Sequence, residues 1–225
     1  MTAPRVAIVA VALLAVACGP GAQVATTPTA TTAPAPAATA APTSAAPAAQ
    51  TSAAPAAGTP ASDTLAMTCT SPATPATAMT EGPYYKADPP QKASLVTEGL
   101  AGTRIVLTGY VLTRSCAPVA GAKVDVWQAD SRGAYDNSGY TLRGYVLTDD
   151  MGRYRIETIV PGEYPGRTEH IHVKIWVGGS ALTTQLYFPG QASNSGDGIY
   201  RPENLLKITQ GTPLVGRFDF IVDRA

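Results

Sequence analysis

His170 and His172 are the only histidines in the chain of 225 residues, and a single residue separates them. They open the stretch His170-Ile171-His172-Val173-Lys174-Ile175-Trp176-Val177, in which an aliphatic residue fills every second position. Side chains alternate across a β-strand, so Ile171, Val173, Ile175 and Val177 share one face and both imidazoles point from the other. Two neutral imidazoles side by side are half of a metal site, and taken alone they could serve zinc, copper or no metal.

The side chain in best supply to complete such a site is tyrosine, with ten in the chain. Tyr164 lies six residues before His170, in a loop bracketed by Pro161-Gly162 and Pro165-Gly166. Tyr135 follows the stretch Trp127 to Ala134, directly after another strand-like segment. Loop residues held by a β scaffold are natural ligands.

The elements that must position these residues read as mostly β. Arg104–Thr113, Lys123–Gln128, Gly144–Thr148, Tyr154–Thr158, His170–Val177, Leu182–Phe188 and Gly216–Val222 are short, rich in β-branched or aromatic residues and bounded by Gly, Pro, Asp or Asn. Asp149-Asp150-Met151-Gly152 and Val177-Gly178-Gly179-Ser180 read as hairpin turns. Pro202–Ile208 is the one candidate for a short helix. The expected fold is mainly β, an antiparallel β-sandwich with long active-site loops and little helix.

The ends bound the setting. Residues 1–18 read as a lipoprotein-type signal peptide, with Arg5, an apolar run from Val6 to Ala17, and Cys18 as the residue to be acylated. That run is shorter than the roughly 20 residues a bilayer span needs. Residues 19–63 are Ala, Pro, Thr and Ser with almost no charge, a composition that reads as a disordered tether. Residues 64–225 are then one domain, extracytoplasmic and tethered to the membrane through a lipid on Cys18. The chain carries 16 basic and 16 acidic residues, a balance that gives no reason to expect a nucleic-acid partner. With Cys18 assigned to the lipid, Cys69 and Cys116 remain as a pair suited to a disulfide. Closing that loop contributes about 3–4 kcal/mol in the chain-entropy model.

Several stretches together carry a resemblance. They are Thr80-Glu81-Gly82-Pro83-Tyr84-Tyr85, Val126-Trp127-Gln128-Ala129-Asp130 with Gly133-Ala134-Tyr135, and Thr148-Asp149 with Gly152-Arg153-Tyr154. Pro161-Gly162-Glu163-Tyr164, Arg167-Thr168-Glu169-His170-Ile171-His172 and Thr184-Gln185-Leu186-Tyr187-Phe188 complete them. In order and spacing the chain resembles the intradiol ring-cleavage dioxygenases, from about Glu81 to Phe220. It is most similar to their exported single-domain members.

That resemblance implies a non-haem Fe(III) centre with Tyr135, Tyr164, His170 and His172 as metal ligands. It implies a catechol-type substrate, cleaved by O2 between its two hydroxyl-bearing carbons to a cis,cis-muconate-type product. Tyr164 matches the axial ligand that yields to substrate, Arg167 the arginine that stabilises negative charge on the ring, and Gln185 a glutamine on the oxygen side. Pro83, Tyr84, Trp127 and Tyr187 match substrate-pocket positions. The chemistry is consistent, because hard phenolates favour ferric over ferrous iron and offset its charge. One departure stands out: Gly166 replaces the tryptophan that follows the axial tyrosine in the protocatechuate enzymes, and the loop to Arg167 is shorter. A wider pocket is expected there. Two other readings share parts of the sequence, namely a non-catalytic cell-surface β-sandwich binding module and an exported copper- or zinc-binding protein using the His pair. Neither calls for the two tyrosines.

Overall fold

A computed structural model describes residues 66–223. The signal peptide, Cys18 and the tether lie outside the described residues, and among the described residues no helix is long and apolar enough to cross a membrane. Nine strands form among the described residues: β1 (Arg104–Thr113), β2 (Lys123–Trp127), β3 (Arg143–Leu147), β4 (Arg153–Ile159), β5 (His170–Val177), β6 (Ser180–Tyr187), β7 (Lys207–Thr209), β8 (Leu214–Arg217) and β9 (Phe220–Val222). One sheet has the order β4-β1-β8-β7, with β9 also on β1; the other has the order β3-β2-β5-β6.

The alternation of the sequence decides which side faces in. Val124 and Val126 of β2 and Ile171, Val173 and Ile175 of β5 join Ile105, Leu107, Ile156 and Phe220 in one buried core between the sheets. Asp125, Trp127, His170 and His172 therefore lie on the outer face of their sheet. One of the two expected hairpins is present: Gly178 and Gly179, at φ +53° and +84°, close β5 to β6. The turn at Asp149–Gly152, with Gly152 at φ +72°, is not a hairpin, because it carries the chain from β3 in one sheet to β4 in the other. Side-chain-bearing residues rarely adopt such angles, which is why glycine stands at these turns.

The structure departs from the sequence reading in three further places. The sandwich is not wholly antiparallel, because β1 pairs in parallel with both β8 and β9. The single strand expected over Gly216–Val222 is two strands, broken at Phe218-Asp219. There the Phe218 carbonyl lies 1.9 Å from where a Cβ of Gly109 would stand, and Asp219 takes the Tyr110 amide at 3.1 Å. The helix expected over Pro202–Ile208 is a 3-10 turn, Pro202–Asn204, followed by β7. Burial overrides local propensity here. Asn204 is 1% exposed and donates to Thr184 Oγ1, and the Leu206 amide donates to the Tyr187 carbonyl.

A long strap precedes β1 and has no strand signature in the sequence. Its start is joined to the loop after β1 by the Cys69–Cys116 disulfide. It then runs along the edge of β6, where the Met79 amide donates to the Thr183 carbonyl. It crosses the outer face of β5 and β2. It reaches the edges of β3 and β4 through Lys92 N to Tyr145 O and Leu95 N to Glu157 O. Such pairing covers sheet edges that would otherwise be open to association. It also lays Gly82 to Tyr85 over the histidine face.

Candidate metal centre

The register of the second sheet brings its functional residues to one end. Trp127 pairs with Arg143 and with His172, and His170 pairs with Tyr187. The loops after β2, before β5 and after β6 all leave from this end and carry Tyr135, Tyr164 and Asp197.

The donor atoms converge. His170 Nε2 lies 3.2 Å from His172 Nε2 and 3.4 Å from the Tyr164 hydroxyl. The Tyr135 ring is 5.9 Å from that of Tyr164 and 6.3 Å from that of His172, between centroids. His170 Nδ1–H donates to the Thr168 carbonyl at 2.6 Å, which leaves Nε2 as a bare lone pair aimed into the cluster. The Tyr135 hydroxyl is buried and has no hydrogen-bond partner. Buried polar atoms are rarely left so. An orphaned phenol beside two imidazole nitrogens that face each other fits a cation held among all four side chains.

The electrostatics favour the same occupant. Burial, reinforced by Arg167, drives His170 down to about 4. His172 is held well below its ordinary value by burial, by His170, and by Arg167 and Arg143. Both imidazoles are therefore neutral and free to coordinate at neutral pH. Burial pushes the Tyr135 and Tyr164 phenols up, against the pull of Arg167. Two phenols that ionise reluctantly alone become good ligands once a highly charged cation offsets them.

Arg167, Gln185 and Tyr187 form one network. Arg167 Nη1 donates to the Tyr164 hydroxyl at 3.3 Å, and Nη2 donates to Gln185 Oε1. Gln185 Oε1 also accepts from the Tyr187 hydroxyl at 3.1 Å, and Gln185 Nε2 donates to the Thr80 carbonyl of the strap at 2.9 Å. Asp197, absent from the sequence reading, anchors this network. Its Oδ2 accepts Arg167 Nε at 2.9 Å and the Thr168 amide at 3.2 Å, and its Oδ1 accepts the Ile199 amide at 3.1 Å. It sits in a polar loop with no periodicity, so no pattern in the chain marks it out.

The four expected pocket residues separate into two groups. Tyr84 stacks on Tyr135 at 4.3 Å and meets the Tyr164 ring edge-on at 6.2 Å, so it covers the cluster. Pro83 is exposed and, with Tyr84, Lys86, Asn137 and Arg143, lines a cavity of about 400 Å³. Trp127 and Tyr187 are 1% and 0% exposed. Both stand behind the ligands rather than at open space: Trp127 stacks on the His172 ring at 4.8 Å, and Tyr187 braces Gln185. On the other side of Tyr164, a cavity of about 500 Å³ is lined by Tyr164, Gly166, Arg167, Ser193 and Asp197. A Cβ on Gly166 would meet nothing within 4 Å, so this mouth is open where a larger side chain would fill it. A larger hollow of about 510 Å³ lies beneath Thr68 to Thr77, with none of the four ligand candidates in its lining.

The strap is tied to the sheet by a second polar group. The Tyr85 hydroxyl donates to Asp125 Oδ2 at 3.2 Å, Lys123 lies 3.8 Å from the same oxygen, and Lys174 pairs with Glu81. Burial lifts the Asp125 carboxyl to about 6, although Lys123, Tyr85 and Lys174 oppose the shift. The folded protein thus holds this proton at a pH where the unfolded chain has lost it. Lowering the pH from above 6 to about 4 is expected to stabilise the native protein relative to an Asp125→Asn variant, by about 1–3 kcal/mol. Urea midpoints of the two proteins across that range measure it, and parallel pH profiles would refute it.

Comparison with known proteins agrees with this arrangement. A protein-family model described as Dioxygenase matches residues 80–219. The beta chain of protocatechuate 3,4-dioxygenase from Burkholderia cepacia is 37% identical over 142 residues, which cover 55% of this chain and 56% of that protein. Chlorocatechol 1,2-dioxygenase from Pseudomonas sp. strain P51 is 29% identical over 174 residues, covering 64% and 69%. The chain thus spans between about half and two thirds of these relatives. Among solved structures, the dioxygenase domain of a dioxygenase–carbohydrate-binding protein fusion from Streptomyces sp. SirexAA-E superposes with a TM-score of 0.65 at 45% identity. That match covers 68% of this chain and all of that domain. The 3-chlorocatechol 1,2-dioxygenase of Rhodococcus opacus 1CP gives 0.61 at 27%, covering 65% and 72%. The matched stretch contains both loop tyrosines and the paired histidines of β5 with the sheet that gathers them, and the chain belongs to the intradiol ring-cleavage dioxygenase family.

Proposed function

We propose that the protein cleaves a catechol-type aromatic between its two hydroxyl-bearing carbons, adding both atoms of O2 to give a cis,cis-muconate-type product. The reading rests on one observation above all: two neutral imidazole nitrogens meet two phenols, one of them without a partner. Tyr135, Tyr164, His170 and His172 would hold a non-haem ferric ion. Bound there, the ion supplies a Lewis-acid centre and a template for the catecholate.

The remaining work falls to the chain's own groups. A catechol that binds as a dianion must shed two protons: the Tyr164 oxygen, a phenolate when it serves as ligand, would take one, and a hydroxide from solvent would take the other as water. The Tyr164 hydroxyl is within reach of Arg167 Nη1, which steadies the oxygen while the proton is in transit. Arg167 is held rigidly by Asp197 and Gln185, so its charge is set in place before negative charge develops on the ring. Tyr84 forms an aromatic wall and keeps water from the cluster. The open mouth at Gly166 suits a ring that carries a substituent.

We further infer that the domain works outside the cytoplasm, tethered by a lipid on Cys18. The signal-like residues 1–18 and the Cys69–Cys116 disulfide support that setting.

The test is to load the protein with ferric iron and offer catechol, protocatechuate, hydroxyquinol and alkyl- and chlorocatechols, identifying products by mass and NMR. A red-brown protein that forms a muconate from at least one of them is expected. A colourless loaded protein that binds zinc or copper would favour the metal-binding reading instead. Failure to take up any metal would leave the binding module.

A further inference from the structure

Arg143 is used by none of the chemistry above, yet it is among the largest fully buried side chains of the domain, at 2% exposure. It lies on β3, paired with Trp127. Its guanidinium carbon is 5.8 Å from the centre of the Tyr135 ring. Nε donates to the Asp136 carbonyl at 3.0 Å, and Nη1 donates to the Tyr84 carbonyl. One guanidinium thus bridges the loop carrying Tyr135 and the strap carrying Tyr84.

What this arginine lacks is a counter-ion. No ion pair among the described residues includes it. Asp136, whose main-chain carbonyl accepts from Arg143, spends its carboxylate on the amides of Ser138, Gly139 and Thr141. A buried cation without a partner is expensive, and a neutral side chain of similar size would clamp two carbonyls at lower cost. Retaining the charge makes sense if a negative charge forms beside it.

We propose that Arg143 is a positioning residue for Tyr135. It fixes the loop against the strap and sets a positive charge against the Tyr135 phenolate. The second half rests on the ferric reading given above. Arg167 serves Tyr164 directly, so the two phenols each have their own guanidinium.

The test uses the full chain with Arg143→Gln and Arg143→Lys. In the metal-free protein, amide hydrogen exchange over residues 133–141 is expected to quicken in both variants, since neither keeps the two-pronged clamp. In the iron-loaded protein, Arg143→Gln is expected to move the phenolate-to-iron charge-transfer band to longer wavelength. Losing the cation raises the energy of the phenolate electrons. Arg143→Lys keeps the charge and is expected to hold the band within a few nanometres of the wild type, with kcat lowered by roughly tenfold to a hundredfold and KM little changed. A coloured wild type whose band does not move in Arg143→Gln overturns the proposal, and so does unchanged exchange. If Arg143→Gln does not fold, Arg143→Lys decides alone, and a displaced band or wild-type exchange in it overturns the proposal. A wild type without any charge-transfer band is a different result: it sinks the ferric reading and the charge role with it.

Discussion

Replacing His172 with alanine is expected to abolish ring cleavage, by at least about a thousandfold in kcat/KM, or roughly 4 kcal/mol of transition-state stabilisation. The imidazole has no other employment in the structure. It is 1% exposed, its Nδ1 has no partner, and its Nε2 faces that of His170 at 3.2 Å. Trp127 stacks on one side of it, and a Cβ on Gly82 would stand 3.4 Å from its Cε1 on the strap side. The substitution therefore empties a small, walled space and removes a nitrogen donor without cutting any hydrogen bond that holds the sheet. Fold stability should change by no more than about 2 kcal/mol. Iron content by elemental analysis, the visible band, turnover and the thermal midpoint separate the two effects. Turnover near the wild-type level would refute the ligand assignment. Tyr164→Phe should silence turnover as well, because it removes the oxygen placed to take the substrate proton.

Asp197→Ala is expected to cost both activity and stability, and in that it differs from the ligand variants. The carboxylate is 1% exposed and the Arg167 side chain 17%, so the pair is largely shielded from solvent. Removing one partner of a buried pair is expensive, and here it also strips the Thr168 and Ile199 amides of their acceptor. A loss of about 3 kcal/mol is expected, at the low end for buried pairs because Arg167 keeps some contact with water. Arg167 would then be free to leave Tyr164 and Gln185, and kcat should fall by roughly a hundredfold to a thousandfold. Asp197→Asn, which keeps an acceptor without the charge, should recover part of the stability and little of the rate. Denaturant midpoints and steady-state kinetics measure the two losses. An Asp197→Asn variant with full kcat would show that Arg167 is oriented by something else.

These two residues also mark how far the chain could be read without its fold. His170 and His172 were legible because strand alternation is a local property: it follows from the backbone of a few residues and needs no partner. The hairpin at Gly178-Gly179, the inward faces of β2 and β5 and the mainly β character were open to reading for the same reason. The motifs around Tyr135, Tyr164, Arg167 and Gln185 added the other participants through a family resemblance. Asp197 and Arg143 gave no comparable signal. Each acts on a residue far from it in sequence, Asp197 on Arg167 and Arg143 on Tyr84, and a contact of that kind leaves no periodicity to detect.

What the sequence determined by itself, then, was the kind of chemistry: which donor atoms exist, which strand face carries the imidazoles, and which turns must be glycine. The tertiary structure decided their arrangement. It laid the strap across the outer face by main-chain hydrogen bonds such as Met79 to Thr183 and Lys92 to Tyr145, which almost any residue could make and which no residue type announces. That strap helps bury the histidine face and sets Tyr84 on Tyr135, shielding the cluster from solvent. Burial in turn keeps the imidazoles neutral and holds back ionisation of the phenols unless a cation offsets their charge. Side-chain identity is written locally, whereas desolvation is a sum over neighbours that only the closed fold supplies.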